Sequence, residues 1–144
     1  MLSLYRHHPL RRYSLLVVLL LMLLGLSACM SGPRLASLNA EVVPAEPLDL
    51  PPDAQLTVHL EDVSRADAGA DVIAESTYTR LGRGPVPVVL RYTTDAIDPE
   101  RSYALRAQIS VDGEPTHTST SQVAVLTGDA PSNDVVIPIE DVRR

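Results

Sequence analysis

At 144 residues, with a formal net charge of −6, one cysteine and no phenylalanine or tryptophan, the chain has the size of one small domain and no partner for a disulfide. Its twelve basic residues are all arginine, and its eighteen acidic residues all lie beyond Cys29. An acidic surface without lysine repels phosphate backbones, which speaks against nucleic-acid binding and against a polybasic grip on anionic lipid.

The chain opens on Arg6, Arg11 and Arg12, followed by twelve residues, 15–26, of which only Gly25 is not strongly apolar. A charged start followed by a run too short for the roughly 20 apolar residues of a bilayer span is the pattern of a signal peptide. The run ends in "LSAC", Leu26 to Cys29, which resembles the bacterial lipobox. That resemblance implies cleavage between Ala28 and Cys29 and a covalent lipid on the Cys29 sulfur, with residues 1–28 removed. Residue 30 is Met where an inner-membrane retention signal would carry Asp, and by resemblance to the bacterial sorting rule this favours transfer to the outer membrane, with the protein hanging into the periplasm. Once Cys29 is acylated no thiol remains, so the fold must rest on its core.

Residues 29–52 are rich in Pro, Ala, Ser and acidic side chains, and Pro33, Pro44, Pro47, Pro51 and Pro52 are spread through them. This composition predicts an extended tether, with room for one short strand at residues 41–43.

Residues 53–144 show apolar positions with period two. Leu56, Val58 and Leu60 alternate with Thr57, His59 and Glu61, and Tyr103, Leu105, Ala107, Ile109 and Val111 alternate with polar residues. Further strands are expected at 72–80, 86–92, 116–126 and 134–139, with Val135, Ile137 and Ile139 on one side. Asp112-Gly113 reads as a type I′ hairpin turn. With no sustained helical period, the expectation is an all-β domain, a small antiparallel β-sandwich of six to seven strands.

Three segments, "LTVHLEDVSRADAGADVIAE", "GPVPVVLRYTTDAIDPERSYALRAQISVDGE" and "VAVLTGD", resemble the YbaY/YscW-type lipoproteins, the type III secretion system lipoprotein chaperones. The most specific pieces are Leu60-Glu61-Asp62-Val63-Ser64 with Asp67, and Tyr103-Ala104-Leu105-Arg106-Ala107. The resemblance implies a β-sandwich and an outer-membrane lipoprotein. For YscW-like members it implies a pilotin role, in which the lipoprotein escorts an envelope client such as a secretin subunit. The alternative is a structural envelope lipoprotein with no dedicated client.

Asp62, Asp67 and Asp71 invite a calcium reading, but their spacing is not that of an EF-hand, and turn capping with Arg65 or Arg106 as ion-pair partners is the simpler account. His59 and His117 fall short of a zinc ligand set and read as outward sheet residues. No nucleophile elbow or phosphate loop occurs, so neither an enzyme nor a small-molecule substrate is expected, and no cofactor beyond the lipid. Tyr78, Tyr92 and Tyr103 read as core or rim positions, not as sugar-stacking platforms. In "THTSTSQ" the strand is polar on both faces, which marks Thr116, Thr118 and Thr120 as a sheet edge. That edge is either simply solvated or open to an added client strand.

Overall fold

The computed structural model describes residues 32–65 and 67–142. The expected signal peptide and Cys29 lie outside the described residues. Among the described residues eight strands follow one another: β1 (Leu35–Pro44), β2 (Gln55–Asp62), β3 (Asp71–Thr79), β4 (Val86–Thr93), β5 (Tyr103–Val111), β6 (Glu114–Ser119), β7 (Val123–Val125) and β8 (Val135–Asp141). Their order across the sheet is β3-β2-β5-β6-β8-β1-β4, with β7 running beside β5 beyond the end of β6.

The all-β class expected from the alternation is present. Leu56, Val58 and Leu60 of β2, Leu105, Ala107 and Ile109 of β5, and Ile137 and Ile139 of β8 all turn inward and are fully buried. Across the core they meet Val88 and Leu90 of β4, so opposite walls of one curled sheet pack on each other. The buried hydrophobic residues are aliphatic apart from Tyr103, in keeping with a chain that has no Phe or Trp. Asp112 and Gly113 both adopt positive φ, 53° and 80°, and close the β5–β6 hairpin in the expected turn.

The tether reading of residues 29–52 needs correction. Residues 35–44 form the ten-residue strand β1, which lies inside the sheet between β4 and β8. Leu38, Ala40 and Val42 are buried while Asn39 and Glu41 point out, a period-two pattern that the proline-rich surroundings obscure. Pro33 precedes the strand and Pro44 ends it, so neither interrupts its ladders. The following connection is also fixed: Leu48 is buried and its amide donates to the Arg83 carbonyl at 3.0 Å. β1 pairs antiparallel with β4 but parallel with β8. That one parallel ladder departs from the fully antiparallel expectation, and the long chain between the two strands makes the crossover feasible.

Candidate functional site

β3 and β4 stand at the two ends of the strand order, and no backbone ladder joins them. They are joined instead by side chains that converge on one residue. The Tyr78 hydroxyl donates to the Val89 carbonyl at 2.8 Å and accepts the Val89 amide at 2.7 Å, while the Ser76 hydroxyl donates to the same carbonyl at 3.1 Å. Pro87 lies two residues from Val89 on β4 and so faces the same side, where it offers no N–H. The sheet is therefore nearly closed, and this seam is where its two edges lie.

Thr116, Thr118 and Thr120 are not an edge, which corrects the sequence expectation. β6 has β5 on one side and β8 on the other: Thr118 is opposite Gln108 and Glu140. Thr116 is buried and its hydroxyl donates to the Ile109 carbonyl at 3.3 Å, and the Thr120 amide reaches the Pro138 carbonyl. Hydroxyl side chains look solvent-facing in sequence, but the Thr116 hydroxyl and that of Ser119, which accepts the Ala107 amide at 3.3 Å, answer backbone groups of β5. The expected single strand at 116–126 divides into β6 and β7, both against β5.

In the acidic loop, one Asp62 carboxylate oxygen accepts the Ser64 amide at 3.0 Å and the Ser64 hydroxyl at 2.6 Å, and the other accepts Arg101 at 2.7 Å. The Ser64 bonds first, then Arg101, hold the Asp62 carboxyl down at about 2 from its ordinary 3.8. Arg65 pairs with Asp71 at 2.8 Å, while the Arg106 guanidinium comes within 3.7 Å of Glu61. This is turn capping and ion pairing. Among the described residues no three His, Cys, Asp or Glu side chains come together as a metal site.

His59 lies on the outer face of β2, with Nε2 3.0 Å from Glu75 and Nδ1 3.8 Å from Glu61. His117 contacts the Thr116 hydroxyl through Nδ1 at 3.1 Å and lines an open polar groove of about 370 Å³ with Glu46, Asp49 and Glu140.

A second groove, of about 360 Å³, is more apolar. It lies between the chain that leaves β4 and the loop after β7 and is lined by Tyr92, Ile97, Pro99, Leu126 and Gly128. A 3₁₀ turn at Thr94–Ala96 starts one wall. Tyr103, buried at the start of β5, braces that wall: its hydroxyl accepts the Asp98 amide at 2.9 Å and donates to the Ala96 carbonyl at 3.3 Å. The opposite wall turns through Leu126 at φ 70° and Gly128 at φ 62°. The left-handed region costs a residue with a Cβ about 1–2 kcal/mol, so Leu126 is held there by its surroundings. Sequence reasoning missed this groove, because its walls come from residues some thirty positions apart that the β5–β7 pairing and the shared core bring together.

A family model described as "Type III secretion system lipoprotein chaperone (YscW)" matches residues 33–137, from just before β1 into β8. The chain belongs to the YscW family. The resemblance read from the segments around Leu60 and Tyr103 is thereby met, and the match includes the β1 region that composition had set apart. A curated relative, the uncharacterized lipoprotein YbaY of Escherichia coli (strain K12), is 32% identical over 93 residues, 63% of this chain and 49% of the relative. The chain thus spans about half the length of the curated relative it matches. Among solved structures, an alternative pilotin from the type II secretion system of Vibrio cholerae is similar with a TM-score of 0.71 and 31% identity, over 77% of this chain and 100% of that one.

Proposed function

We propose that this member of the YscW family is a pilotin-like chaperone: a lipoprotein that binds another envelope protein, such as a secretin subunit, and escorts it to the outer membrane. The observation that carries the reading is the likeness to the Vibrio cholerae pilotin, which extends over that protein's whole length at 31% identity. In this reading the lipid on Cys29 anchors the chain at the outer membrane facing the periplasm, and the β domain supplies the client surface. "LSAC" after a short apolar run supports the anchor, and the family supports a binding role over catalysis. The two places best suited to a client are the β3–β4 seam and the groove beside Leu126.

The test is affinity purification of the tagged, full-length protein from detergent-solubilised membranes of its native host. One envelope protein enriched in near-stoichiometric amount supports the reading. Recovery of the lipoprotein alone, under conditions that preserve other membrane complexes, contradicts it and favours a structural lipoprotein without a client.

A further inference from the structure

We infer that the groove between residues 94–101 and 126–132 docks an apolar protein segment flanked by lysine or arginine. This deepens the chaperone reading and rests on it for the biological client. The recognition itself stands on the groove's shape and charge.

The groove's volume, about 360 Å³, lies near the lower end of the roughly 300–1,000 Å³ typical of ligand sites. It suits a few side chains of a segment, not a folded domain. Its walls are fixed before anything binds. The Tyr103 hydroxyl holds the chain at Ala96 and Asp98, the Ile97 amide donates to the Thr94 carbonyl at 3.1 Å, and the Leu126 amide donates to the Pro131 carbonyl at 3.0 Å. A site held open in this way avoids the ordering cost that a collapsible surface meets on binding.

Charge selects the occupant. The two wall segments carry Asp95, Asp98, Glu100 and Asp129 against Arg101 alone. Asp95 and Asp129 are exposed and take part in no ion pair among the described residues, whereas Arg101 is already held by Asp62. Arg34 comes next to these segments through its backbone, its carbonyl accepting the Thr94 amide, and one further cation leaves them negative. None of these carboxylates lines the groove itself, but each adjoins lining residues in the chain, and the two wall segments are net negative. An anionic headgroup would be repelled, while a segment with apolar residues for Ile97 and Leu126 and a cation for each aspartate is complementary.

The test is fluorescence anisotropy at low salt, with the full chain in detergent and three labelled peptides that share one Leu-Ile-Leu centre and carry lysine, serine or glutamate flanks. The lysine peptide should bind about fivefold or more tightly than the serine peptide and lose that advantage as salt rises. Leu126→Asn keeps a residue that tolerates left-handed backbone but removes apolar lining, and it should weaken all binding about tenfold. Asp95→Asn with Asp129→Asn should erase the lysine preference and leave the serine peptide unaffected. Equal binding of the three peptides, absence of binding, or unchanged binding by the Leu126→Asn protein overturns the proposal. Because the peptides are synthetic, such a result removes this groove and leaves the co-purification of a natural client to be judged separately.

Discussion

The Tyr78 hydroxyl satisfies both the amide and the carbonyl of Val89, so one side chain on β3 takes the place of a ladder rung to β4. Everything else that joins these two strands is the Ser76 bond and side-chain packing. Tyr78→Phe keeps the ring and removes both bonds. The variant should remain folded, lose about 1–3 kcal/mol in chemical denaturation, and exchange its Val89 amide far faster than wild type. Unchanged protection of that amide would show that the seam is closed without Tyr78.

A chain shortened to begin at Asp53 should be unfolded by circular dichroism, whereas one beginning at Pro33 should show the full sheet spectrum. Without β1, both β4 and β8 lose a ladder, and Leu38 and Val42 each forfeit about 1.5–3 kcal/mol of burial. Those losses together approach the whole stability of a small domain, about 5–15 kcal/mol. A folded, cooperative Asp53 chain would contradict the place given to β1.

The Asp62 carboxyl, held at about 2 against an ordinary 3.8, binds its proton less readily in the folded chain than in the unfolded one. Its contribution is then complete above about pH 4 and disappears as the pH falls toward 2. Thermal melting across that window should show wild type losing stability more steeply than Asp62→Asn. The two curves should converge at the acid end. Parallel curves would mean that Ser64 and Arg101 do not favour the charged form.

The strands of the core were legible because burial on one face leaves a period of two, plain in residues 55–60 and 103–111. β1 has the same period, yet Ala40 is a weak strand former and prolines lie at both flanks, so composition pointed to a linker. Which strands are edges was harder, because pairing is a property of the assembled sheet. The polar residues of β6 suggested an edge, although β5 and β8 flank the strand and the Thr116 hydroxyl bonds the Ile109 carbonyl. Proline did not settle the question either: Pro87 lies in the edge strand β4, but Pro115 and Pro138 lie in β6 and β8, which have neighbours on both sides. Arg101 and the groove beside Leu126 left no local trace, since Arg101 finds Asp62 across 39 residues and the groove needs both of its walls.

In the function proposed above, the chain carries a partner to the outer membrane by way of its own anchor. The most direct measurement of that role is the distribution of the co-purifying envelope protein between inner- and outer-membrane fractions in host cells expressing either wild type or Cys29→Ser. Fatty-acid labelling serves to confirm that only the wild type is acylated. The partner should still bind the Cys29→Ser protein but be depleted from the outer membrane. A partner that reaches the outer membrane equally in both strains, with labelling lost as expected, would contradict that role.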